Sequence, residues 1–123
     1  MKRIDSRSKK RADLSFRCLP FNSSFYSDVK QSGLNAETVF EKSSQYRLSE
    51  AGWFNHSDDI EAIFRWLIKI GILRREVDGQ GLTAKVRLTP LGRQILDNAP
   101  SLPSQKAGLF EKLSHWIIRQ WHF

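Results

Sequence analysis

The fold is decided by residues 57–96, SDDIEAIFRWLIKIGILRREVDGQGLTAKVRLTPLGRQIL, which read as helix, strand, turn, strand and helix. Apolar residues of the first part recur mostly three and four positions apart: Ile60, Ile63, Phe64, Leu67, Ile68 and Ile70. This spacing predicts a helix with one face in a core. Ser57 is its expected N-cap, with Asn55 as the alternative, and Gly71 can end it in a left-handed conformation.

The pattern then changes to the alternation of a β-strand. Leu82, Ala84, Val86 and Leu88 fall on one strand face, and Thr83, Lys85, Arg87 and Thr89 fall on the other. The intervening DGQG at 78–81 predicts the turn of a hairpin. Thr89 and Pro90 predict the N-cap and first residue of a further helix that reaches Asn98.

This order of elements resembles the winged helix-turn-helix family over about residues 48–96. The phrase LSEAGW at 48–53 is similar to the short helix before the family's recognition helix. The phrases WLIKIGILRRE at 66–76 and VRLTPLG at 86–92 resemble the end of the recognition helix, the wing and the exit from it. The resemblance implies a mainly α fold with a small β-hairpin. It also makes residues 36–46 the first helix of a three-helix core.

Four segments are expected along the chain. Residues 1–15 are rich in basic and polar side chains and predict a flexible arm. Residues 16–97 form the predicted winged-helix domain. An apolar stretch from Leu14 to Tyr26 leads into a short helix closed by Gly33. Two prolines and a glycine mark residues 98–108 as a linker, and residues 109–123 predict an amphipathic helix.

The composition favours one small domain that needs no cross-links such as disulfides. The 123 residues include one cysteine, Cys18, which cannot form an internal disulfide. No apolar run approaches the ~20 residues of a membrane-spanning helix. The basic N-terminal stretch also lacks an apolar segment of the kind found in secretion signals. We therefore expect a cytoplasmic protein.

The net charge of +7 is distributed unevenly. Residues 1–20 hold seven Lys or Arg against two Asp, and residues 72–93 hold five against two acidic side chains. Basic clusters of this kind suit phosphate contact, although a solvated tail and an ordinary strand face would show them too. The predicted contacts to double-stranded DNA are Arg65, Lys69, Arg74, Arg75, Lys85, Arg87, Lys9, Lys10 and Arg11. Asp58 and Glu61 would approach the DNA as well, which opposes binding.

No pattern in the chain indicates catalysis, a cofactor or a metal site. The three histidines, His56, His115 and His122, are scattered, and two of them without a carboxylate or cysteine nearby make a poor zinc site. His115 and His122 are expected to form a polar edge of the last helix. We therefore predict a protein that is not an enzyme.

The last predicted helix carries a dense apolar and aromatic face. The residues of this face recur at helical spacing. They are Leu109, Phe110, Leu113, Trp116, Ile117 and Trp121. Such a face is expected to pack on the domain, on a second copy or on another protein, with an interfacial membrane helix as the less favoured alternative. Two hypotheses follow: a DNA-binding transcriptional regulator, for which this helix could serve as a dimer interface, or a protein-interaction module on a winged-helix scaffold, in which it would dock a partner protein.

Overall fold

In a computed structural model of the chain, residues 6–19, 21–48, 53–99, 103 and 115–117 are described. The elements run in the order α1 (Ser6–Cys18), α2 (Ser23–Gln31), α3 (Ala36–Glu41), α4 (Ser43–Tyr46), α5 (Ser57–Lys69), β1 (Leu73–Asp78), β2 (Gly81–Leu88) and α6 (Pro90–Asn98). The prediction of a mainly helical fold with one small β-hairpin is confirmed.

Helix α5 is central because its apolar stripe lies in the core, with Ile60, Phe64 and Leu67 fully buried. The predicted N-caps are wrong, since His56 holds that position. The backbone N–H of His56 donates to Asp59 Oδ2 at 3.3 Å, so an acidic side chain of the first turn stabilises this end. The predicted end is confirmed, because Gly71 follows the helix with a φ of 87°.

Helix α1 crosses the boundary that the sequence predicts at residue 15. Residues 6–15 of the expected flexible arm belong to this helix, and Ala12, Ser15 and Phe16 are buried. The prediction of an arm is wrong for these residues, because a narrow apolar stripe at helical spacing lies among the basic side chains. Residues 1–5 lie outside the described part of the chain.

The helix predicted over residues 36–46 is divided in two at Lys42. Asn35 caps the first piece, its Oδ1 accepting from the Thr38 N–H at 2.8 Å. The Tyr46 hydroxyl in the second piece donates to Asp28 Oδ2 of α2 at 2.8 Å. Burial and this carboxylate raise the pKa of Tyr46 to about 12. The short helix expected at 48–53 falls mainly on residues 49–52, outside the described residues.

The hairpin joins the core at its base and leaves it at its tip. Leu73 pairs with Leu88 and Val77 pairs with Leu82, with an irregularity of register between them. Leu34 bridges the other edge of β2 through two backbone hydrogen bonds to Val86, of 2.9 and 3.2 Å. The expected core face therefore holds only near the base, where Val86 and Leu88 are buried, whereas Leu82 is 76% exposed.

The final helix of the described core begins as predicted. Thr89 accepts from the Gly92 N–H at 3.0 Å through its hydroxyl, and Pro90 is the first helical residue. Gly92 is required by a close approach, since a Cβ there would lie 2.8 Å from the Ile72 carbonyl oxygen.

None of the helices in the described ranges has the length and apolar character that a membrane span needs.

The predicted linker and terminal helix lie almost wholly outside the described residues. Residues 115–117 are helical, and His115 is 3% exposed. The expectation that His115 forms a polar edge is wrong, because its ring Nε2 lies 2.9 Å from the Ser15 Oγ in the interior.

Candidate nucleic-acid interface

One stripe of α5 remains on the surface while the rest of the helix is buried. The stripe, called here the α5 strip, consists of Asp58, Ala62, Arg65 and Lys69, which follow one another at spacings of four, three and four. It has the hairpin on one side, where Glu61 contacts β1, and α1 on the other, where Trp66 contacts Ser15. The strip is therefore a helix surface flanked by a β-hairpin.

Arg75 holds the hairpin against α5. Its guanidinium pairs with Glu61 and also donates to the Ala84 carbonyl oxygen at 3.0 Å. Both charged side chains are partly buried, so the pair is less screened than an exposed one. The pair thus engages Arg75, which is one of the predicted DNA contacts. It also neutralises Glu61, one of the acidic side chains that would oppose DNA binding.

Arg87 is also engaged within the protein. Its guanidinium donates to the Lys30 carbonyl oxygen at 3.1 Å, at the C-terminal end of α2. A second nitrogen lies 3.7 Å from Glu76 Oε1. A cation at the C-terminus of a helix satisfies carbonyl groups that have no partner in the helix. Arg87 therefore ties β2 to α2.

The remaining cations of the strip and the hairpin are exposed. They are called here the outer cations and are Arg65, Lys69, Arg74 and Lys85. In the strand register, Arg74 lies opposite Arg87. The backbone at Lys85 lies close to Gly33, since a Cβ built at Gly33 would be 2.9 Å from the Lys85 Cβ. The structure thus leaves four of the six predicted contacts on α5 and the hairpin exposed on the surface.

The predicted contacts of the N-terminal region lie on α1. Lys10 is exposed, whereas Arg11 is half-buried and its Nε has no hydrogen-bond partner among the described residues. Lys9 belongs to the same helix, and its side chain lies outside the described part of the structure. Helix α1 meets α5 on the Trp66 side. These residues are therefore not gathered with those of the hairpin.

An acidic groove lies at the N-terminal end of the α5 strip. Its volume is about 230 Å³, and Glu37, Asp58 and Glu61 line it together with Ala84 of β2. The sequence pattern indicated Asp58 and Glu61 as acidic residues near the predicted DNA contacts, but it did not indicate Glu37. Glu37 belongs to α3, which is distant in sequence from α5. This end of the strip repels phosphate, whereas Arg65 and Lys69 lie in its middle and at its C-terminal end.

A buried polar cluster joins α1, α5 and residues 115–117. Ser15 Oγ accepts from the Trp66 indole N–H at 3.0 Å and lies 2.9 Å from the His115 ring nitrogen. No spacing in the sequence indicates this cluster, because its three members are distant from one another along the chain. Its Ser–His distance is of the kind seen in nucleophile activation, but here both side chains are buried. The cluster fixes residues 115–117 to the domain.

The predicted partner contacts are described only at two positions. Trp116 is 53% exposed and Ile117 is 40% exposed. Leu109, Phe110, Leu113 and Trp121 lie outside the described residues. Within the described ranges, no three His, Cys, Asp or Glu side chains gather as a metal site requires.

Comparison with known proteins identifies a family. Searches among curated proteins and among solved structures gave no significant match. The family model described as Npun_F0494-like matches residues 2–119. The chain therefore belongs to the Npun_F0494-like family.

Proposed function

We propose that the protein is a winged-helix DNA-binding protein that acts as a transcriptional regulator. In this interpretation α5 is the recognition helix and the hairpin is the wing. The observation that carries the proposal is the placement of the outer cations, exposed on a helix strip and on the hairpin beside it. We also propose the cytoplasm as its compartment, from the single cysteine of the sequence.

Phosphate contact would dominate such binding. Arg65 and Lys69 suit phosphates or guanine, whereas Asp58 near the start of the helix does not. Neutralising one phosphate changes the slope of log K against log salt by about 0.9. Four outer cations therefore predict a slope of roughly −3 to −4, with weak preference for sequence.

The test is duplex binding at ~50 and ~200 mM salt, measured by fluorescence anisotropy. Arg74→Gln and Lys85→Gln should each weaken binding by roughly threefold to tenfold and reduce the salt slope by about one. Lys42→Gln is the matched control, because Lys42 is exposed between α3 and α4 and the change removes the same charge. Equal effects at all three positions, or binding that does not respond to salt, would refute the proposal.

The outer cations are chosen because Arg75 and Arg87 cannot give a clean result. Arg75→Glu would place two carboxylates together at Glu61, and Arg87→Glu would do the same at Glu76. Such changes disturb the attachment of the hairpin as well as its charge. Their effect on DNA binding would therefore mix two causes.

A second candidate function is a non-catalytic protein-interaction module. It is favoured by the exposed Trp116 and Ile117 and by the acidic groove that holds Glu37 and Asp58. A homodimer formed through the C-terminal residues is compatible with either candidate, so it does not separate them. The interaction module predicts a co-purifying partner protein that Trp116→Ser removes, and no salt-sensitive binding to duplex DNA.

A further inference from the structure

A cavity of about 460 Å³ lies between α2, the end of β2 and α6. Its wall includes Tyr26, Ser27 and Lys30 from α2, Leu88 from β2, and Arg93 and Leu96 from α6. Cavities of this size fall in the range of small-molecule sites, which combine an apolar wall with a few polar groups. None of the outer cations lines it.

Two cations and one carboxylate belong to the cavity wall. Lys30 and Arg93 are exposed, and neither side chain forms an ion pair or hydrogen bond with the described residues. Among the described lining residues, Asp97 is the single acidic one. The wall therefore has an excess positive charge that no described contact compensates. It favours an anionic guest.

Tyr26 adds a polar group without a partner. Its ring packs against Phe16 and Phe25, with centroid distances of 4.8 and 5.1 Å, and the side chain is buried. Its hydroxyl has no hydrogen-bond partner among the described residues. Most buried polar side-chain atoms in proteins have one. Burial raises the pKa of Tyr26 far above its usual value, so the hydroxyl stays protonated and can donate to a ligand oxygen.

We infer that this cavity binds a small organic anion, a carboxylate or phosphate monoester that carries a short apolar chain. Lys30 and Arg93 would hold the anionic head, with the Tyr26 hydroxyl as a further donor. Leu88 and Leu96 would contact the apolar chain. The inference rests on the cavity alone and does not require that the protein bind DNA.

The experiment is calorimetric titration of the full chain with hexanoate and with hexyl phosphate, using hexan-1-ol as the neutral control. At least one anion should bind with a Kd below about 1 mM, and the alcohol should bind at least roughly tenfold more weakly. The two anions distinguish a carboxylate ligand from a phosphate ligand. Failure of both to bind below that concentration, or equal binding of the alcohol, would overturn the inference.

Variants then locate the site. Lys30→Gln and Arg93→Gln should each weaken anion binding by roughly tenfold, because each removes a charge-assisted hydrogen bond. The control Lys42→Gln should leave the Kd unchanged. Wild-type affinity in Lys30→Gln and Arg93→Gln would place the bound anion elsewhere and contradict the assignment.

Two further variants separate binding from folding. Ser27→Trp should fill the cavity and abolish binding with little change in the midpoint of thermal unfolding, because Ser27 is exposed. Tyr26→Phe should weaken binding by a few fold while it raises that midpoint, since it removes a buried hydroxyl without a partner. Unchanged binding in Ser27→Trp would refute the site. Failure of anion binding would leave the duplex experiment unaffected.

Discussion

The base and the tip of the hairpin share one sequence pattern but have different surroundings. At the base, Leu73 and Leu88 pair and are buried, with exposures of 1% and 4%. At the tip, Val77 and Leu82 pair in the same way and are 63% and 76% exposed. Strand alternation assigns a residue to a face of the sheet. Whether that face is covered depends on what packs against it.

The charged residues show the same contrast between attached and outward-facing positions. Arg75 and Arg87 bind α5 and α2, so they hold the hairpin in place. Arg74 and Lys85 are exposed on the same two strands. A count of basic residues therefore overestimates the number that can contact phosphate. Each closely packed or attached position has an outward-facing counterpart of the same residue type, so paired substitutions measure the difference.

The largest difference is expected between Leu73→Ala and Leu82→Ala. The first change leaves a cavity in the core and should lower the free energy of unfolding by about 2–5 kcal/mol. The second removes an exposed side chain and should change it by no more than about 0.5 kcal/mol. Urea denaturation of both variants measures the difference. Similar values would mean that the tip is covered in solution.

A smaller difference is expected between Gly33→Ala and Gly79→Ala. A Cβ at Gly33 would lie 2.9 Å from the Lys85 Cβ, whereas a Cβ at Gly79 meets nothing within 4 Å. The first variant should lose about 1–3 kcal/mol of stability, as in overpacked sites. The second should be nearly neutral. A neutral Gly33→Ala would show that β2 is not held closely against the segment before α3.

The smallest difference in stability is expected between Arg75→Gln and Arg74→Gln. Arg75→Gln breaks the partly buried pair with Glu61 and should cost about 1 kcal/mol. Arg74→Gln should cost less than about 0.5 kcal/mol. The same chemical denaturation measures both values. A cost at Arg74 that equals or exceeds the cost at Arg75 would contradict the division into attached and outer cations.

Local signals in the sequence predicted the features that depend on neighbouring residues. The turn after Asp78, the helix end at Gly71 and the start of α6 at Thr89 and Pro90 are all confirmed. Each depends on turn or cap chemistry within a few residues. The N-cap predicted at Ser57 is wrong by one residue. The helix is capped at His56 instead, where the backbone N–H donates to the Asp59 carboxylate.

Features that depend on distant residues could not be predicted. The Arg75–Glu61 pair, the contact of Arg87 with α2 and the burial of His115 each join separate elements. No sequence spacing specifies which cation finds an internal partner. The alternation of charges on β2 therefore predicted the strand faces but not which cations stay available at the candidate site.

The most direct test of the DNA-binding account is an amide chemical-shift titration of the labelled protein with a duplex at ~50 mM salt. DNA binding through these side chains predicts the largest shifts at the outer cations Arg65, Lys69, Arg74 and Lys85, with smaller changes at the base of the hairpin. Shifts centred on residues 115–117 or on α6, or no shifts at all, would contradict it.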